Sequence, residues 1–332
     1  MLDQKSIQQW LKDNLTDGVH LSVGELVRYR HHVKHIDLTP KRTPQARLAG
    51  TYVTRLKGRG MEFDESRHYQ PGDDIRAIDW RVTARTGKTH TKVFREERER
   101  PVYIMTDLST TMQFGSQFSF KSVQAAHISA LIGWSAIARG DKVGSLAFNN
   151  YQHIEHKPKG RQTAVLNQIH QLVTLQNQSA SSSLELLDDA NTSVSRFADN
   201  CARLYRLAKP GSLVWVISDL SQLDNRALRT LSDINRHCEV RTAIVSDPLE
   251  MSLPQMNSRQ SLTVTDGQHR RSVLLGDTST NINYAEQARE RMLSMCEQLE
   301  KANVIGYGID AGMPLLQQSI APLHSRQFEA RA

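Results

Sequence analysis

The 332-residue chain is 39% hydrophobic and 23% charged, a balance that excludes a wholly disordered protein and a multi-span membrane protein and leaves room for more than one domain. Its formal net charge is +7, from 42 Lys and Arg against 35 Asp and Glu; the mixture admits an acidic partner but is no polycation. Three cysteines, Cys201, Cys238 and Cys296, stand far apart without CxxC spacing, which points to reduced thiols and a cytoplasmic location.

The first residues, "MLDQKSIQQWLKDNL", lack the basic and apolar regions of a signal peptide. Ile7, Trp10, Leu11 and Leu15 share a helical face. "SVGELVRYRHHVKHI" predicts a second helix, with Ser22 as N-cap and Glu25 three residues on. "LTPKRTPQARLAG" reads as a linker. Residues 50–100 are dense in charge and turn signals, with short strand-like pieces such as "TYVTRL" and "THTKVF".

From residue 100 the rhythm changes. "PVYIMTD" reads as a buried strand and "FKSVQAAHISALIGWSAIARG" as a helix closing at Gly140. "KVGSLAFNN" and "YQHIEHK" predict a hairpin. Two helices come next, then the strand "GSLVWVISDL", a helix, the strand "EVRTAIVSDP", a small hairpin, the helix "YAEQARERMLSMCEQLEKAN" and the strand "VIGYGID". This alternation predicts an α/β fold: a mostly parallel sheet with helices on both faces.

Ligands of such sheets gather at the carboxyl ends of the strands. Asp107 and Asp219 both fall there, after "YIMT" and "WVIS". Asp107, Ser109 and Thr111 alternate along the loop and offer oxygen ligands on one side. An all-oxygen set suits a hard cation, Mg²⁺ or Mn²⁺, with retained waters. The competing structural reading is that Asp, Ser and Thr simply cap the helix after a strand.

"DLSTT" resembles the DxSxS motif of the von Willebrand factor type A domain, with Thr111 in place of the second serine. The resemblance implies that Asp107, Ser109 and Thr111 hold the ion of a metal-ion-dependent adhesion site, with Asp219 acting through water. A hydroxyl from "SASSSLELL", Ser182 or Ser183, would replace the family's loop threonine. A partner's carboxylate would complete the shell.

"GRGMEFDESRHYQPGDDIRAIDWRVTARTGKTHTKVFREE" resembles the signature of a bacterial family called domain of unknown function 58. The pattern includes Gly58, Gly60, Glu62, Phe63, Arg67, Tyr69, Gly72, Asp73, Asp74, Arg76, Ile78, Asp79, Trp80, Ala84, Arg85, Glu96 and Glu97. The family resemblance implies work beside a MoxR-type AAA+ ATPase in protein assembly or maturation, on an unknown client, with docking to a membrane protein open. Asp73, Asp74 and Asp79 read either as a partner surface, a second acidic metal cluster or catalytic carboxylates, or as an internal ion-pair network with Arg67, Arg76, Arg81 and Arg85. Bidentate arginine pairing favours the network, and Trp80 is expected to anchor the segment by packing.

His31, His32 and His35 lack further ligands at metal spacing. The basic run from Arg28 to Arg47 would suit phosphates but has no nucleic-acid motif beside it. Neither a GxSxG elbow nor a Walker lysine loop supports an enzyme.

The expected organisation is therefore a helical segment and linker (1–48), a charged β-rich segment packing on the next domain (49–97), the type A-like domain (98–312) and a tail (313–332). The expected function is a non-enzymatic adaptor using a metal site. The alternatives are a metal-independent scaffold with a degenerate site and a basic nucleic-acid binder.

Overall fold

The computed structural model describes residues 9–11, 16–40, 61–96, 100–182, 190–254, 260–265 and 270–328. Ile7, Leu15, the strand expected at 51–56, Gly58, Gly60, Glu97, Ser183 and most of the linker lie outside them. The chain divides into two compact units, one of residues 1–45 with 100–332 and the other of residues 46–99.

The helix expected from Ser22 onward is short. Ser22 Oγ accepts the Glu25 N–H and caps α1, Val23–Val27, after which the chain tightens into 3₁₀ turns at Arg28–His31 and Val33–His35. Tertiary bonds account for the break. The carbonyl of Leu26 accepts from Trp134 Nε1 at 3.2 Å, and that of Val33 from Ser135 Oγ at 3.0 Å. Both acceptors serve side chains outside the helix, so local propensity gives way to tertiary contact.

In the unit of residues 46–99, β1 (Met61–His68) pairs antiparallel with β2 (His90–Glu96). Between them lies α2, Trp80–Thr86. Asp79 caps it, accepting from the N–H groups of Arg81 and Val82, and Ser66 Oγ donates to the same carboxylate at 3.0 Å. Gly87, at φ 69°, ends the helix in the left-handed region that L side chains avoid.

The larger unit is built on a six-stranded sheet in the order β10-β7-β6-β3-β4-β5. Its strands are β3 (Pro101–Asp107), β4 (Lys142–Phe148), β5 (His153–Lys159), β6 (Leu213–Ser218), β7 (Glu239–Ser246) and β10 (Ile305–Asp310). All run parallel except β5, which turns back along the edge of β4. A separate hairpin pairs β8 (Gln260–Thr265) with β9 (Arg270–Leu275).

Both faces are covered, which is why the inner strands are nearly continuous apolar runs. One face carries α3 (Lys121–Ala138) and α4 (Gln162–Ser182), packed over Ile104, Trp215 and Ile217. The other carries α5 (Ala190–Leu207), α6 (Asn225–Asn235) and α8 (Thr278–Lys301), packed over Met105, Val216 and Val240. Helix α3 is buried along nearly its whole length, so its apolar character runs around the helix rather than along one stripe. At Gly133 a Cβ would clash with Gln168 Oε1; the missing side chain lets α3 and α4 approach.

Residues 16–40 belong to this unit. Leu21, Leu26, Tyr29, Ile36 and Leu38 are buried in the core of the α3 face. Asn177 holds Leu21 by both backbone groups, at 3.0 and 3.1 Å. At the amino end of the sheet, the fully buried Arg241 donates to the carbonyls of Asp37 (2.8 Å) and Thr39 (2.5 Å) and to Glu239 Oε1. Its guanidinium also lies 5.7 Å from the centre of the Trp215 ring. The other Glu239 oxygen accepts from Arg100 at 2.9 Å. Burial pushes the Glu239 carboxyl up, but Arg241 and Arg100 outweigh it and hold it below its ordinary range.

Among the described residues no helix is long and apolar enough to cross a membrane. Cys201, Cys238 and Cys296 are free and buried, and burial raises the Cys238 and Cys296 thiols to about 11.

Candidate functional site at the carboxyl edge of the sheet

Strands β10, β7, β6 and β3 lie side by side, and an aspartate stands at the carboxyl end of each: Asp310, Asp247, Asp219 and Asp107. Each makes the same local turn. Its Oδ1 accepts the N–H two residues on, from Gly312, Leu249, Ser221 and Ser109, at 2.7 to 2.9 Å. The capping expected from the sequence is thus repeated along the edge: every carboxylate shapes its loop, and the row gathers four carboxyl groups at one edge.

Asp107 is fully buried. Its Oδ2 accepts from Ser218 Oγ at 2.7 Å, across the boundary between β3 and β6. Ser109 Oγ and Thr111 Oγ1 lie 3.2 Å apart. Ser109 is buried while Thr111 is half-buried, so the group faces outward at Thr111. Thr110 is exposed and exchanges two hydrogen bonds with Asn150, which fixes the loop against the end of the β4–β5 hairpin. Burial first, and the neighbouring Asp219 charge second, raise the Asp107 carboxyl to about 6 despite the Ser109 and Ser218 bonds.

Asp219 is differently placed. Its Oδ1 is taken by Ser221, N–H and hydroxyl, and its Oδ2 accepts from Lys121 Nζ at 2.8 Å. Lys121 opens α3, is almost fully buried, and reaches Glu250 Oε1 at 2.6 Å as well. Burial pulls the ammonium down, but Asp219 and Glu250 outweigh that and leave it above its ordinary value. Glu250 sits in the short helix α7, Pro248–Met251, where its other oxygen closes a capping box with Asp247. Asp247 in turn holds Ser116, N–H at 2.8 Å and hydroxyl at 2.5 Å, tying the loop after β3 to the end of β7.

The structure therefore brings Asp107, Ser109, Thr111 and Asp219 to one edge. Ser182 falls in the last turn of α4 rather than in a loop, and Ser183 lies outside the described residues. Sequence reading missed Ser218, Asp247, Glu250, Asp310 and Lys121. The pattern was available for two of them, since "AIVSD" and "GYGID" repeat the apolar strand closing on Asp; nothing local marks Lys121, which comes from 98 residues away.

Among the described residues, the acids of the charged segment serve both as arginine partners and as helix caps. Arg67 pairs with Asp73 at 2.7 Å. Asp74 instead caps the 3₁₀ turn Ile75–Ala77 through the Arg76 N–H, and Asp79 caps α2. Asp79 is held below the ordinary carboxylate range, the Val82 N–H being the largest cause, and Asp73 likewise by the Gln70 N–H. Arg85 lies in the last turn of α2, where its charge complements the helix dipole. Trp80, the first residue of that capped helix, is 68% exposed, so the expectation of a packing anchor is corrected: the ring meets solvent.

The oxygen donors at Asp107, Ser109 and Thr111 are chemically suited to a hard cation. Among the described residues no three His, Cys, Asp or Glu side chains converge as a metal cluster, so an ion here would rest on one carboxylate, hydroxyls and water. His35 Nε2 is 3.2 Å from the Gln318 carbonyl, a structural contact.

An open, mostly parallel sheet with helices on both faces defines an α/β domain of the doubly wound class. The chain belongs to the family described as protein of unknown function DUF58, whose model matches residues 65–293. It is 34% identical over 117 residues to the uncharacterized proteins Mb1516 of Mycobacterium bovis and Rv1480 of Mycobacterium tuberculosis. The match spans 35% of this chain and only 37% of each relative. Among solved structures, it is similar to an aerotolerance-related membrane protein from Bacteroides fragilis (15% identity, 64% of this chain and 93% of that one, TM-score 0.39). It is also similar to the conserved hypothetical protein BatB from Bacteroides thetaiotaomicron (14% identity, 61% and 98%, TM-score 0.35).

Proposed function

We propose that the chain is a non-enzymatic adaptor whose Asp107 loop captures an acidic group of a protein partner through Mg²⁺ or Mn²⁺. In this reading it works beside a MoxR-type AAA+ ATPase in the assembly or maturation of a protein complex. The supporting observation is the joint placement of the buried Asp107 carboxylate with the Ser109 and Thr111 hydroxyls at the outward edge of the sheet. Asp107, Ser109 and Thr111 would hold the ion, which would supply a coordination position for the partner's carboxylate. Ser218 orients Asp107, and Asn150 ties down the exposed side of the loop. The class of the ATPase partner comes from the family resemblance.

The test is capture of a purified MoxR-type ATPase by the full chain in Mg²⁺, with Asp107→Ala and with chelator. Both treatments should reduce capture about a hundredfold (~2.7 kcal/mol) while circular dichroism stays unchanged. Capture that survives both overturns the reading. A second reading, a metal-independent scaffold, is favoured by one observation: Lys121 already neutralises Asp219.

A further inference from the structure

Lys121 is the one element of the carboxyl edge that a metal site would not be expected to contain. Its ammonium is buried between Asp219 and Glu250, at 2.8 and 2.6 Å. Its side chain is only 3% exposed. A buried ammonium persists only where opposite charges and hydrogen bonds replace its hydration, and here two carboxylates do so.

We infer that Lys121 is a resident cation of the site: it, and not a metal-held water, is the partner of Asp219, and it sets how weakly the Asp107 loop holds a divalent ion. The inference rests on the reading of that loop as a metal site and deepens it. Asp107 and Asp219 stand at the ends of adjacent strands, and the Asp219 charge is felt at Asp107. A divalent ion at Asp107 therefore sits within reach of the Lys121 charge through Asp219. With the ammonium present, the Asp219 oxygen that could face the ion is already engaged by Lys121, and the two cations repel. The edge thus divides between two cations, a fixed one at Asp219 and an exchangeable one at Asp107.

The experiment is titration calorimetry of Mn²⁺ into the full chain, its Lys121→Gln variant, and the double variant Lys121→Gln with Asp219→Asn. Thermal melts run in parallel, in chelator and in millimolar Mg²⁺. The single variant should bind Mn²⁺ at least about tenfold tighter, because a like charge is removed and Asp219 is released. It should melt lower in chelator and recover in Mg²⁺. The double variant, which removes the charges as a neutral pair, should return to within about threefold of the parent, as a coupled pair requires.

A folded Lys121→Gln protein with unchanged Mn²⁺ affinity overturns the inference. So does a variant that unfolds in chelator and is not rescued by Mg²⁺. If Lys121→Gln gains nothing while partner capture by the parent still needs metal, the resident cation falls and the adaptor reading stands. If Lys121→Gln gains affinity while parent capture ignores chelator and Asp107→Ala, the adaptor reading falls alone. If no form binds Mn²⁺, both fall.

Discussion

Ser218 donates its hydroxyl to Asp107 Oδ2 at 2.7 Å, joining the last residue of β6 to the last residue of β3. Both residues are buried. Replacing the serine by alanine leaves a carboxylate oxygen in the interior without its donor. Ser218→Ala should therefore cost about 1–3 kcal/mol, read as a lower urea midpoint at unchanged slope. An unchanged midpoint would mean that water replaces the hydroxyl.

The same carboxyl predicts a pH dependence. In the folded protein Asp107 titrates at about 6, against 3.8 for the free side chain. The unfolded chain thus loses this proton first, and the folded state binds more protons in between. The Asp107 contribution is most favourable below about 4, declines as pH rises through about 6, and is constant above. The size is on the order of 2–3 kcal/mol. Melts in chelator should show it as a difference between the parent and Asp107→Asn that grows over that window; a flat difference would refute it.

Arg241 should be among the costliest residues to truncate. It is fully buried and serves Glu239 and two carbonyls at once. Arg241→Ala strips Glu239 of its Arg241 bonds and removes the guanidinium donor from the Asp37 and Thr39 carbonyls. The expected loss is about 3–5 kcal/mol, with faster hydrogen exchange over residues 19–39 than over β3. Equal exchange in both segments would show that this fixture does not hold the amino-terminal stretch.

Trp80 should behave in the opposite way. At 68% exposure, Trp80→Ala should change stability by no more than about 0.5 kcal/mol. It should remove the largest share of the iodide-quenchable fluorescence, since Trp134 and Trp215 are buried and Trp10 is half-buried. A large loss of stability would restore the packing role that the sequence suggested.

These residues also show what a sequence can carry. The parallel sheet was legible because its strands are buried on both faces and its helices alternate with them; "PVYIMTD" and "GSLVWVISDL" could hardly be anything else. Asp107 and Asp219 were legible because their position at a strand end is local information. The break of the helix after Val27 was not, because it depends on Trp134 and Ser135 reaching its carbonyls. Nor was Lys121, whose partners come from β6 and α7. The capping roles of Asp74 and Asp79 were not legible for a related reason: each is set by backbone N–H groups a few residues away. Charge pattern shows which groups are present, while local geometry decides which of them meet.

Glu239 has one more consequence. One of its oxygens holds Arg241, which grips the Thr39 carbonyl; the other holds Arg100, the first residue of the second stretch of the larger unit. Two stretches of the larger unit that are far apart in the chain are thus stapled to a single carboxylate. The entropy of bringing Thr39 and Arg100 together is met within that unit. Such a seam is where an evolving gene can lengthen, trim or exchange a module without recasting the sheet. A chain in which a short glycine-serine bridge replaces residues 41–99 should still fold around Trp215.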